Sequence, residues 1–374
     1  MKKNSRFAGF LLSIISLISL SIMSCGESNS HISLFIYSST DTFMQGYAEQ
    51  IQDTLRDKYN VVTFNGESSQ TLQNDQIVGE INNDESKFLL INLVDRLAAR
   101  TIIEKSATKE KPIVFLNREP LESDLSGSRL AYYVGAKPES DGSLQAEIID
   151  EFFGGNAKFI ESYDKNKNGK LDVLLIKGEQ GHQDTENRSQ YSINGLKDLG
   201  YDVNILDTRF CDWNRETAFS YVQEVYADYE NDLDVIISNN DDMALGAIDY
   251  FKTLEDYDPS KPLYEQYPLI IGVDATEVGF EAVQNQEMYG TVQNDYEKQV
   301  AIIDELIDYL LNHIDMSTFP YKTDSGNFFR TDGIKITQKN YSEFIDTPQI
   351  QWKTLQKSNI FWYFVLNLYI IYKR

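Results

Sequence analysis

The stretch Asp164–Tyr191, DKNKNGKLDVLLIKGEQGHQDTENRSQY, holds two polar clusters separated by one apolar run. Val173–Lys177 has the length and continuous hydrophobicity of a strand buried on both faces, and Gly178 ends it. Beyond that strand's carboxyl end come His182, Asp184 and Arg188, where open α/β sheets hold their ligands. Before it, Asp164, Asn166, Asn168 and Asp172 put oxygen side chains at alternate positions around Gly169, the pattern of the front half of a calcium loop. An EF-hand loop needs a bidentate Glu at its twelfth position, but Leu175 stands there inside the strand. Calcium therefore requires a remote carboxylate here, and without one the loop is a polar Asn/Gly turn.

Outward from this stretch the chain alternates strand and helix. Strands are expected at 32–37, 61–64, 88–92, 112–116 and 132–135 on one side, and at 201–206, 235–238 and 269–273 on the other. Helical patterns fall between them, including 143–153, 190–199 and 216–229. Two βα series predict an α/β protein of two doubly wound, Rossmann-like lobes with a ligand cleft between them. A chain of 374 residues, 41% hydrophobic and 12% aromatic, has material for two cores.

At the N-terminus Lys2, Lys3 and Arg6 precede an apolar run, Phe7–Met23, ending in Ser24-Cys25. This reads as a signal peptide over 1–24 with a lipoprotein cleavage box, Cys25 becoming the lipid-modified end and 25–30 a tether; an uncleaved anchor is the alternative. Removing the leader takes the net charge from −24 to −27, which excludes nucleic acid as a partner. Gly178-Glu-Gln-Gly181 has no Lys-Ser/Thr after it, so no phosphate loop is present.

Polar residues recur at the expected strand ends: Asp41, Asn117, His182 with Asp184 and Arg188, Asn240, Asp274 and Asn294, accompanied by Phe43 and Trp213. Carboxylates, amides and a guanidinium suit the paired hydroxyls of a sugar, and flat aromatic faces suit its C–H faces. Taken singly, Asp41, Asp184 and Asn240 serve equally well as helix N-caps, Trp213 as core and His182 as a surface turn residue.

At these motifs the sequence resembles the periplasmic D-galactose/D-glucose-binding proteins of the type I sugar-binding family, which serve ABC transporters. The resemblance runs over roughly 31–345, through Asp41-Thr-Phe43-Met, Phe115-Leu-Asn117-Arg-Glu-Pro120, the opening stretch, Ser238-Asn-Asn-Asp241, Gly272-Val-Asp274-Ala and Gly290-Thr-Val…Asn294-Asp. It implies a binding protein and not an enzyme. Asp41 and Asn117 would bind hydroxyls from the first lobe, and His182, Asp184, Arg188, Asn240 and Asp274 from the second. Asn294 would bind near the crossover, with Phe43 and Trp213 sandwiching the pyranose. The resemblance also implies a structural Ca2+ held by Asp164, Asn166, Asn168, the Lys170 carbonyl and Asp172, with Asp234 as the remote carboxylate. Leu206–Trp213 is about two residues longer than the family pattern.

The lobes expected are 31–136 with 295–326 and 137–294 with 327–347. The 348–374 tail contains IFWYFVLNLYIIY (360–372), an interfacial segment, a docked strand or sequence foreign to the natural protein. The implied partners are a hexose (D-galactose and/or D-glucose), an ABC permease and, as an alternative readout of the closed form, a chemoreceptor or histidine kinase. The implied place is outside the cytoplasm, at the cell surface or in the periplasm, with lipid holding the chain to a membrane. From another class, a glycoside hydrolase built on Asp184 and Asp274 needs a raised carboxyl pKa, whereas a carboxylate beside Arg188 is expected to stay ionised.

Overall fold

The computed structural model describes residues 30–157 and 163–345. The expected signal peptide, Cys25 and the tail lie outside the described residues. Within them stand two six-stranded sheets of matching topology.

The first lobe contains β1 (His31–Ile36), α1 (Thr42–Leu55), β2 (Asn60–Asn65), α2 (Gln70–Asn82), β3 (Ser86–Ile91), α3 (Ala99–Ala107), β4 (Ile113–Leu116), α4 (Glu122–Leu125) and β5 (Ala131–Ala136). The second has α5 (Pro138–Phe152), β6 (Leu171–Lys177), α6 (Gln183–Asp198), β7 (Val203–Phe210), α7 (Arg215–Tyr229), β8 (Val235–Ser238), α8 (Asp241–Phe251), β9 (Leu269–Ile271), α9 (Glu277–Gln284) and β10 (Gly290–Gln293). The chain then returns through α10 (Tyr296–Leu311) and β11 (Phe328–Thr331) to the first lobe, and ends in the second with β12 (Ile334–Thr337).

Strand order is β11-β5-β4-β3-β1-β2 in one sheet and β12-β10-β9-β8-β6-β7 in the other. Every pairing is parallel except β10 with β12. Parallel strands covered by helices on both faces bury nearly every side chain, and β1, β4, β5, β8 and β9 are buried throughout. The apolar runs that marked them in the sequence are the direct result.

Two boundaries differ from expectation. The third crossing between lobes falls after Thr331 and not at 326/327, because β11 pairs in parallel with β5 and sends Phe328 and Phe329 into the two apolar layers flanking the first sheet. The strand expected at 201–206 runs as Val203–Phe210 instead. Its register against β6 jumps from Ile205 opposite Val173 to Asp207 opposite Leu174, so Leu206 is the extra residue of a bulge.

Candidate functional site

The sugar-site residues named from the sequence follow strands, in the loops and first helical turns beyond their carboxyl ends, whereas the residues named for calcium lie before or at the start of β6 and β8. One cavity of about 320 Å3 opens beyond the carboxyl ends, walled by Asp41, Phe43 and Asn117 from the first lobe. His182, Asp184, Arg188, Trp213, Asn240 and Asp274 wall it from the second. Tyr37 and Arg118 complete the lining and were missed in the sequence. Asn294 is not among the lining residues: it is buried, and its side-chain oxygen accepts from Gln299 Nε2 at 2.8 Å.

In the first lobe Asp41, Tyr37 and Asn117 are already tied to their own lobe. Asp41 caps α1, accepting Met44 N–H at 2.9 Å, and its other oxygen accepts the Tyr37 hydroxyl at 2.6 Å. The N-cap reading and the site reading are thus both true of it. Burial and the Asp41 carboxylate push the Tyr37 phenol up, so the hydroxyl stays protonated as a donor. The Arg118 guanidinium lies 4.0 Å from the Tyr37 ring centre. Asn117 takes a left-handed backbone (φ 55°), and its side-chain oxygen accepts from Asn92 Nδ2 at 3.0 Å, leaving its own amide N–H groups for a ligand. Asn92 is fully buried and also accepts Tyr37 N–H, so it positions two wall residues at once.

In the second lobe a single cation serves several anions. Arg188 Nη2 lies 3.1 Å from Asp141 and 3.5 Å from Asp184, while Nη1 lies 3.5 Å from Asp274 and donates to the Asn239 carbonyl at 3.0 Å. All four charged residues are buried. Gly142 admits this arrangement, since a Cβ there would stand 2.6 Å from the Arg188 carbonyl oxygen. One guanidinium shared among three carboxylates does not offset their desolvation, so burial pushes Asp184 up to about 6, Asp141 to about 7 and Asp274 well above the usual range. Asp184, at about 6, stays mainly ionised at neutral pH, as expected beside Arg188, while burial works harder against the charged forms of Asp141 and Asp274. Asp141, at the start of α5, carried no sequence signal as a site residue.

His182 is no surface turn residue. It caps α6, its Nδ1 accepting Asp184 N–H at 3.1 Å, which fixes the proton on Nε2. Burial and the Arg118, Arg188 and Arg96 charges hold the imidazole well below its ordinary pKa, so it is neutral. Trp213 has φ 63° and meets the His182 ring edge-on at 5.1 Å. Its indole lies flat against Gly178, where a Cβ would come within 2.3 Å of the ring. Opposite, Phe43 is braced by Tyr47 and Tyr296. Asn240 caps α8 through Met243 N–H.

The expected metal loop closes on itself. Asp164 accepts N–H from Asn168 and Gly169; Asp172 accepts the amides of Asn166, Asn168 and Asn204. Asp234 does arrive from outside the loop, accepting Asp172 N–H at 3.0 Å and Lys165 N–H at 3.4 Å. Among the described residues no group of three or more His, Cys, Asp or Glu is gathered to hold a metal ion.

The family described as "Periplasmic binding protein domain" matches residues 32–314. The chain is 32% identical over 285 residues to the D-galactose/methyl-galactoside binding periplasmic protein MglB of Haemophilus influenzae, covering 75% of this chain and 82% of that one. The chain belongs to the type I periplasmic sugar-binding family. Its fold is that of an ABC transporter periplasmic solute-binding protein from Actinobacillus succinogenes with bound D-allose (17% identity, TM-score 0.69, covering 84% of this chain and 99% of that one). The myo-inositol-bound ABC transporter solute-binding protein from Bacillus halodurans is similar too (18% identity, TM-score 0.67, 85% and 98% covered). Like its relatives, this periplasmic binding protein is a binding component and not an enzyme. Among the described residues no helix is long and apolar enough to cross a membrane.

Proposed function

We propose that the chain closes its two lobes over a single hexose, D-galactose or D-glucose, and delivers it to an ABC permease. The observation that carries this reading is the cavity itself. Nine of the ten residues named from the sequence wall one space of about 320 Å3, with acceptors, donors and two aromatic rings contributed by opposite lobes. Only the closed form engages both halves, so a sugar favours closure. Titration calorimetry with glucose, galactose, ribose and arabinose tests it: hexoses are expected to bind well below millimolar and pentoses weakly. Tighter binding of a pentose, or of no sugar at all, sinks the hexose reading.

Calcium at the Asp164–Asp172 loop belongs to the same proposal. The available donors are hard oxygens, which suit that ion. Burial and the nearby Asp172 and Asp164 carboxylates push Asp234 up to about 7, a like-charge crowding that a cation relieves. Asp164, Asn166, Asn168, Asp172, Asp234 and the Lys170 carbonyl would hold it, after the Asn166 and Asn168 amides turn their oxygens inward. The ion would pin β6 to β8, which lead to His182 and Asn240. A chelator is then expected to lower thermal stability more than sugar affinity; no change in either leaves a polar turn. We also propose lipid attachment at Cys25, checked by fatty-acid labelling of the expressed protein and its loss in Cys25→Ala.

A further inference from the structure

A second, larger space adjoins the sugar cavity. It has about 1000 Å3, is open to solvent, and shares Arg118 and His182 with the inner cavity of about 320 Å3. Both lobes wall it, with Arg96, Leu97 and Leu121 from the first and Glu179 and Gln183 from the second. Its chemistry is that of a site and not of a bare rim. Arg118 is only 4% exposed, yet its Nε has no hydrogen-bond partner among the described residues; the Arg96 Nε and the Gln183 Oε1 are likewise buried and unpartnered. Orphaned buried donors and acceptors cost free energy, and these side chains recover it when they turn toward a ligand's hydroxyls. Beside them Leu97 is 63% and Leu121 40% exposed, large apolar side chains offered to the same space.

We propose that this space is a subsite for the second ring of a larger ligand, so that the protein accepts a hexose carrying another sugar or an aryl group as well as the free hexose. Apolar surface beside unsatisfied polar groups is what a second ring needs, since a pyranose has C–H faces and a hydroxyl rim. The junction between the two spaces is held by the Arg118–Glu179 ion pair, 2.8 Å across the lobes. Arg118 is fixed by the Val94 carbonyl and the Tyr37 ring, while the Glu179 side chain is 44% exposed. Swinging Glu179 aside gives up an ion pair whose Arg118 side is buried, so the guanidinium must take a ligand oxygen in its place.

This inference rests on the hexose reading, and the test separates the two. Calorimetry on the full mature protein compares galactose and glucose with lactose, cellobiose and the 4-nitrophenyl α- and β-glycosides of both hexoses, for the natural sequence and for Leu97→Trp and Leu121→Trp. The expected result is that at least one two-ring ligand binds within threefold of its hexose, and that both Trp variants weaken it at least tenfold while changing hexose affinity less than twofold. Hexose binding with no two-ring ligand bound overturns the subsite and leaves the hexose reading standing. Equal losses for hexose and two-ring ligand in both variants also overturn it, since the substitutions then act through the fold. Binding of neither kind of ligand removes both readings.

Discussion

The two lobes share a strand order but build their halves of the site in opposite ways. The first lobe offers neutral or singly paired groups: Asp41 is satisfied by Tyr37 and a helix end, Asn117 by Asn92. The second packs one guanidinium among three buried carboxylates. At Asp41 and Asn117, ligand contacts are therefore an addition to groups already paired. In the second lobe they are part of what holds it together, and function and stability share the same atoms.

Arg188→Lys breaks the comparison hardest. An ammonium cannot span three carboxylates and the Asn239 carbonyl at once, because it lacks the planar fork. Leaving buried carboxylates unpaired costs on the order of 3–5 kcal/mol. Sugar affinity is expected to fall at least a hundredfold in calorimetry, and the melting temperature of the sugar-free protein to drop by several degrees. A variant that loses affinity but melts normally would show that the second lobe, too, keeps binding and stability apart.

Asp41→Asn sharpens the other side. Asparagine is as good an N-cap as aspartate, so α1 keeps its Met44 contact. What is lost is a charged acceptor for a sugar hydroxyl, worth about 1.5–3 kcal/mol. Affinity should fall about tenfold to a hundredfold, while the weakened Tyr37 contact lowers the melting temperature by no more than about two degrees. A large drop in melting temperature would erase the asymmetry between the lobes.

This asymmetry also explains what the sequence reveals and what it conceals. Parallel sheets and strand-end residues were legible, because buried strands write continuous apolar runs and ligand groups follow them at short, regular distances. Asp141 was not legible: it sits three residues into a helix, 47 positions from Arg188, and only tertiary packing makes it that residue's partner. Asn92 and Arg118 were equally silent as site residues, since their roles come from side chains reached across strand ends. Asn294 shows the converse. It stands at the correct strand end, yet it is not among the residues that line the cavity. The third crossing was misplaced because Phe328 and Phe329 suit either sheet, and nothing local says which one they join.

A smaller effect concerns the contact between lobes. The Thr42 hydroxyl donates to Asp242 across the cleft at 2.8 Å, so the closed form has a hydrogen bond that an open form lacks. Thr42→Val removes the donor while keeping the shape. A net hydrogen bond to a charged group is worth up to about 3 kcal/mol buried and less where water competes, so affinity is expected to weaken about threefold to tenfold. Thermal stability of the first lobe should not change, since the bond ties the lobes and not the helix. Small-angle scattering of the sugar-free variant should show a more open average shape; an unchanged profile and affinity would make the contact incidental.

The subtlest expected effect is pH dependence, and its sign follows from the raised carboxyls. Asp184 and Asp141 titrate at about 6 and about 7 when folded, against about 4 in an unfolded chain. Between those values the folded protein binds more protons than the unfolded one, so stability falls as pH rises. The contribution is complete below about pH 4 and lost as pH passes through 6 to 7. The sugar-free protein should thus melt a few degrees higher at pH 5 than at pH 7.5, opposite to what ion-paired surface carboxylates produce. Asp141→Asn removes one of the titrating groups and should flatten the slope, raising stability at pH 7.5 more than at pH 5. Because Asp141 holds Arg188 from behind and lies outside the cavity wall, the variant should retain hexose binding within about tenfold. A slope unaltered by the substitution would mean that the proton is taken up elsewhere, and that the second lobe's charge cluster is less strained than its geometry implies.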